Sequence, residues 1–378
     1  MPSAITSATP TVVNSPPKRG SGKLHPLDTR PLLSFKNKSL KQLHLSLYVS
    51  GFSGLYAWLR TQLKRESVAT ILMYHSVPKT AVARWIDPCN CMNPEAFEAH
   101  VRFLARRCHV VSIDRLVQQI EQGEPIQQGT VVITFDDGYL DNLTVAAPIL
   151  AKYNLPATIY LATEYIGAGR NQWVDTLYSA FVARSIDRLS LPGLGTWRLS
   201  NEAETRTAYQ AIAYHLIEST FPERQRLLAE IDNQLAPTAY PPRLTMNWED
   251  ARQIRRQYPN ITLGVHTASH LDLSVHPEET EREMTLSIQQ FEQAMGYRPE
   301  HLAFPYNRHS RQAQKQVAAH LRSAVTVALD PVVRSGTSPY ALPRIEASES
   351  ITMPKSWLDD GFPHLSQRLL KRSWTCPY

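Results

Sequence analysis

Cysteine is scarce in this chain: Cys89, Cys91, Cys108 and Cys376 are the four among 378 residues, and none forms a C-x-x-C pair. That excludes a thiolate zinc module and a disulfide framework as the source of the fold. Glycine is sparse as well, fifteen against twenty-seven prolines, which argues for rigid connections rather than low complexity. The stretch 43–59 carries no Lys, Arg, Asp or Glu but is short for a spanning helix and is interrupted by glycine and serine. It also lacks a small-x-small cleavage site, so it does not read as a secretory signal. Basic charge is missing from the main body. Residues 1–66 hold ten Lys or Arg against two acids, and since the whole chain is +6 the remainder is −2. A nucleic-acid binder needs its basic face on the folded domain, so no nucleic-acid partner is expected.

What remains is a run of strand-like segments that end in polar residues. Val131-Val132-Ile133 leads into Thr134-Phe135-Asp136-Asp137-Gly138-Tyr139, placing two adjacent carboxylates at a strand end. One acid there can cap a following helix; a pair suits hydrolysis, one carboxylate holding a cation and the other taking a proton from water. Ile261–Val265 leads into His266-Thr-Ala-Ser-His270, two imidazoles four residues apart that can converge on one cation. Catalytic zinc sites use three protein ligands and an open position. Asp137, His266 and His270 supply such a set and leave Asp136 as base. Ala69-Thr-Ile-Leu-Met-Tyr ends in His75, and Leu302-Ala-Phe ends in Pro305-Tyr306. Reactive groups at the carboxyl ends of several parallel strands are the arrangement of a barrel.

Helical and strand patterns alternate as such a barrel requires. Helices are expected over Pro94–Arg107, Ile113–Ile120, about 142–152 and Pro277–Met295, with strands at 131–135 and 157–162. Residues 165–245 interrupt the alternation. They read as a polar, helical insertion, helical over about 202–234, placed to wall a substrate groove. The chain therefore divides into a basic tail (1–39) expected to be disordered, an apolar, amphipathic helix within 40–66, a barrel over 67–350 and a C-terminal extension (351–378). Residues 43–65 suit peripheral contact with an anionic membrane; packing of that helix on the barrel is the competing reading.

The motifs Thr134–Tyr139, His266–His270 and Phe304-Pro305-Tyr306, with Met73-Tyr-His-Ser-Val77 ahead of them, resemble those of the NodB-homology polysaccharide deacetylases, from about Ile71 to about Ile345. The resemblance implies a distorted (β/α) barrel and hydrolysis of N- or O-acetyl groups on an acetylated glycan. It implies Asp136 as general base, one divalent ion (Zn2+ first, with Co2+, Ni2+ or Mn2+ as alternatives) on Asp137, His266 and His270, and the Tyr306 backbone N–H as donor to the developing oxyanion, with Pro305 beside it.

This chain departs from the family pattern twice. Ala303 stands where many members carry the arginine that orients the base, and Arg344 is the expected substitute, since a guanidinium can grip a carboxylate from elsewhere in the fold. No Leu-x-His segment follows residue 310, so His75 is the candidate for the missing acid or for positioning substrate. Tyr139, Trp173 and Trp248 are candidate sugar contacts, each against the alternative of core packing. Two other classes stay open: a metal hydrolase of a different carbon–nitrogen or ester bond, and a glycan-binding protein with impaired catalysis.

Overall fold

The computed structural model describes residues 68–328 and 332–347. The expected tail 1–39, the helix within 40–66 and the extension 351–378 lie outside the described residues. Seven parallel strands close a barrel: β1 (Ala69–Tyr74), β3 (Thr130–Phe135), β4 (Ala157–Leu161), β7 (Ile261–Val265), β8 (His301–Ala303), β9 (Ser323–Val327) and β11 (Leu342–Glu346), with β11 returning to β1. The ring is distorted. Ala69 and Thr70 of β1 pair antiparallel with β10 (Val332–Val333), while Ile71 to Met73 pair with β11. β2 (His109–Val110) pairs parallel with Thr130 and Val131 at the start of β3, and β7 meets β8 through one registered pair, Val265 opposite Leu302.

Strand alternation sorts the side chains. Ile71, Val132, Tyr160, Ala303, Val325 and Leu342 fill the barrel interior. Leu72, Ile133, Phe135, Ile159, Leu161, Leu263 and Val265 face the surrounding helices, among them Pro94–Arg107 and Thr280–Met295. The same period of two continued past the strand ends carries His75, Asp136 and His266 inward at one rim. Gly264 makes room inside: a Cβ there would lie 2.6 Å from the His301 carbonyl and 2.8 Å from the Tyr160 ring, closer than carbon can approach.

The expected helices are present with adjusted ends. Asn93 caps Pro94–Arg107, accepting from the Glu95 N–H at 2.8 Å. The expected helix 142–152 begins with a π turn over Asn142–Ala146 before regular helix over Ala147–Lys152. The expected helix 202–234 is two, Glu202–Ile217 and Phe221–Leu235. Thr220 and Glu223 form a capping box that starts the second, and Pro222 at its first turn cannot donate to the preceding one. The insertion also holds a hairpin, β5 (Arg188–Leu191) with β6 (Gly195–Arg198), and the helix Trp173–Ala183. It has its own apolar core, including Leu177, Phe181, Leu189, Ile212, Leu216 and Ile231, which a polar reading of the segment misses. No helix among the described residues is long and apolar enough to cross a membrane.

The amino-terminal face of the barrel is closed by a polar network. His301 at the start of β8 bonds Ser323 at 2.8 Å through Nδ1 and Asp114 at 2.9 Å through Nε2, and Thr262 donates to Asp114 at 2.9 Å. The His301 bond lowers the Asp114 pKa to about 2, against the opposing effect of burial. A carboxylate depressed in the folded state stabilises above its unfolded pKa of about 4 and loses that contribution as pH falls toward 2. Asp114→Asn should therefore destabilise by about 1 kcal/mol near pH 6, discounted for its partial exposure. In urea melts the difference from the unaltered chain should shrink between pH 4 and pH 2; a pH-independent difference would contradict the assignment.

Candidate functional site

At the carboxyl rim of the barrel a cavity of about 140 Å³ is lined by His75, Asp136, Asp137, His266, His270 and Tyr306. Adjacent strand residues point to opposite faces, so Asp136 and Asp137 can share a cavity only if the strand breaks between them. It does: Asp137 has φ 72°, and Gly138 follows at φ 70°. A Cβ on Gly138 would meet Leu161 at 2.8 Å and Ile166 at 2.9 Å. Thr267, His270, Tyr306 and Asn307 are also left-handed, at φ 54–59°. Five of the seven such non-glycine residues among the described residues are in the three loops at this rim, each at a cost of order 1–3 kcal/mol.

Asp137 Oδ1 lies 3.6 Å from His266 Nε2 and 3.2 Å from His270 Nε2. It is buried and accepts no hydrogen bond. His266 Nδ1 is 2.8 Å from the Ala303 carbonyl, which can only accept, so the proton is on Nδ1 and Nε2 presents a lone pair. Burial pushes the His266 pKa down to about 4, keeping the ring neutral at pH 7. Burial opposes ionisation of Asp137, but the His270 and His266 imidazoles outweigh it and hold its pKa below the usual range. A carboxylate facing a bare imidazole lone pair lacks a positive charge between them, and a divalent cation fits the donor set. A second cluster, Asp114, Glu300 and His301, suits a cation poorly because both His301 nitrogens are already bonded.

Beside this set stands the expected Asp136–Arg344 pair. Arg344, on β11 and fully buried, donates from Nη1 to Asp136 Oδ1 and from Nη2 to Oδ2, both at 2.7 Å, and from Nη1 to Thr134 at 3.1 Å. Burial would raise the Asp136 pKa; the Arg344 guanidinium and then His266 outweigh it and lower it. Ala303 is small and fully buried, and the Arg344 guanidinium lies 5.7 Å over the Tyr160 ring. His75 is held through its main chain. Asn142 donates to the His75 carbonyl at 2.8 Å, while Asp141 accepts from Ser76 Oγ at 2.5 Å and from the Val77 N–H at 2.9 Å. Burial raises the Asp141 pKa to about 6.

Not every expected residue reaches the cavity. Tyr139 does not line it. The residue is fully buried with Trp85, Ile86 and Leu244, and its hydroxyl accepts from Asn90 at 3.3 Å. Trp248 does not line it either: it is partly buried and packs edge-on to Phe291, 6.1 Å between centroids. Trp173 does line the cavity although only 2% exposed. Pro305 is buried behind Tyr306, whose ring meets that of His270 at 4.6 Å and 88°. Asn90, Gln172, Asn307 and Glu346 also line the cavity. Glu346 was findable, two residues beyond Arg344 on one strand and so on the same face; Asn90 and Gln172 arrive from loops with no local signal.

Fold and site together describe a (β/α)-barrel enzyme with a carboxylate-and-histidine centre. The family model for polysaccharide deacetylase matches residues 123–322, more than half of the chain, and the protein belongs to that family. A curated relative, the putative polysaccharide deacetylase YxkH of Bacillus subtilis, is 29% identical over 145 residues, 36% of this chain and 49% of that protein. The chain thus matches about half the length of that relative. Among solved structures, IcaB from Ammonifex degensii superposes with a TM-score of 0.51 at 14% identity, covering 78% of this chain and 97% of that one. The Streptococcus pyogenes deacetylase PplD, solved with acetate, gives 0.49 at 16% identity over 75% of this chain and 94% of its own.

Breaking a buried ion pair from one side strands the other charge, at about 3–5 kcal/mol. Arg344→Met should cost stability in that range in urea unfolding, and Arg344→Met combined with Asp136→Asn should cost less than Arg344→Met alone. A double variant as unstable as the sum of its parts would show that the two side chains do not act as a pair.

Proposed function

We propose that the protein is a metal-dependent deacetylase that removes N- or O-linked acetyl groups from a glycan. The observation that carries the reading is the inward set of Asp137, His266 and His270, with a bare imidazole nitrogen facing an unbonded carboxylate oxygen, beside an ionised Asp136 that Arg344 holds in place. Asp137, His266 and His270 would hold the ion, Zn2+ first among Co2+, Ni2+ and Mn2+. When bound, such an ion lowers the pKa of a coordinated water and polarises the acetyl carbonyl.

The chain's own residues supply the remaining steps. Asp136 takes the proton of the attacking water. Arg344 orients it through two bonds and keeps it ionised in a buried setting. The Tyr306 backbone N–H donates to the carbonyl oxygen as negative charge develops, a contact of about 3–4 kcal/mol when well aimed. His75, placed on the cavity wall by Asn142 and Asp141, gives a proton to the departing amine or alcohol, so that acetate and the deacetylated sugar leave. Trp173 presents an apolar edge to the sugar. A glycan-binding role without catalysis has less support, since the proposed base Asp136, its partner Arg344 and the three proposed ligands lie together.

Acetate release from an acetylated chito-oligosaccharide should require added zinc or cobalt and stop with a chelator. Asp136→Asn should keep the metal and lose about 10²-fold to 10⁴-fold in turnover. Unchanged turnover would defeat the proposed base. His75→Gln should lower kcat by about 10²-fold at undiminished metal content if it is the acid; near-normal kcat would remove it from that role.

A further inference from the structure

The three candidate ligands are held in two different ways. His266 is fixed through its ring, by the Nδ1 bond to the Ala303 carbonyl. His270 has no such bond, since its Nδ1 is buried without a partner, and Asp137 Oδ1 likewise has no hydrogen bond. Both of these residues are left-handed, at φ 56° and 72°. Each is instead held at its own main-chain carbonyl, and in both cases the donor is a buried side chain from the insertion. Gln172, 1% exposed, donates from Nε2 to the Asp137 carbonyl at 3.1 Å. Arg224, fully buried, donates from Nη1 to the carbonyls of Ser269 at 3.1 Å and His270 at 3.2 Å.

Arg224 is anchored from its own side. Its Nε donates to the Leu216 carbonyl at 3.0 Å and its Nη2 to the Ser219 carbonyl at 3.3 Å, where the two insertion helices join, and its guanidinium lies 5.3 Å over the Trp173 ring. A planar fork with five donors can tie that junction to the ligand loop at once; a lysine ammonium cannot span it. From the opposite side Glu283 accepts from the Ser269 N–H and Oγ, both at 2.8 Å. The ligand loop is clamped between the insertion and the helix Thr280–Met295.

We propose that the insertion is part of the cation site rather than only a wall beside it, with Gln172 and Arg224 as positioning residues that hold Asp137 and His270 in their strained, ligand-presenting conformation. The proposal rests on the reading of Asp137, His266 and His270 as a cation site. Without these two donors the loops relax toward ordinary backbone angles and the carboxylate and imidazole no longer converge. Side chains that orient metal ligands in this way alter affinity by about 10-fold to 100-fold when replaced.

The test is zinc affinity of the full chain, measured by competition with a chromophoric chelator, alongside thermal melts without metal. Gln172→Met, Arg224→Lys and Arg224→Met should each bind zinc about 10-fold to 100-fold more weakly. Ile231→Ala, which opens the insertion core about two turns along the helix from Arg224, should lower Tm and leave zinc affinity unchanged. Gln172→Met and Arg224→Lys that bind zinc as tightly as the unaltered chain would overturn the brace. So would an Ile231→Ala variant weakened as much as they are, because the effect would then be general loss of stability. His270→Ala separates the two levels. If it too binds zinc normally, the cation-site reading is wrong and the brace falls with it; if it loses zinc while the brace variants do not, only the brace is wrong.

Discussion

The buried pair of Asp136 and Arg344 is the constraint around which the barrel rim is arranged. Two charges in a protein interior are tolerated only when each meets the other with good geometry, and here the two terminal guanidinium nitrogens each face one carboxylate oxygen at 2.7 Å. The requirement spreads outward. β11 must close against β1 so that Arg344 enters the interior, and Thr134 must offer its hydroxyl. With two Arg344 nitrogens on its carboxylate, Asp136 remains ionised in a place where burial alone would neutralise it. An ionised carboxylate next to a candidate cation site is what general-base hydrolysis needs.

Backbone strain is concentrated at the same rim. The barrel supplies a regular alternation that would send Asp137 to the wrong face, and the chain departs from it with left-handed residues in three rim loops. Conformations of this kind persist only when neighbours over-determine them. The neighbours at two of the loops are an arginine and a glutamine from the insertion and a glutamate from the following helix. The barrel supplies the frame, and these buried polar contacts set the angles of the residues it presents.

Much of this rim is legible in the sequence. Strand ends in a parallel barrel are marked by apolar runs that stop at ionisable residues, so His75, Asp136, Asp137 and the histidine pair could be placed without coordinates. Arg344 was legible by subtraction, because Ala303 left a carboxylate without its usual partner. Tyr139 misled because the left-handed pair Asp137-Gly138 turns the chain, and the residue after it points into the core rather than into the cavity. Trp248 misled because an indole on an amphipathic helix gives the same signal whether it faces sugar or a phenylalanine. Gln172 and Arg224 carried no signal, since their partners are main-chain carbonyls, which leave no trace in residue type.

One feature of the ring bears on how any variant of this site should be understood. β7 and β8 share a single registered pair, so the seam between them has little main-chain ladder. Just past the end of that seam, the His266 ring bonds the Ala303 carbonyl at 2.8 Å. The imidazole therefore serves as a rung where the backbone provides few. Removing it takes away a candidate ligand and also loosens a joint of the barrel, whereas His270, with no bond at its Nδ1, can be removed without unstitching a strand. Two histidines four residues apart, alike in sequence, are unequal as mechanical parts.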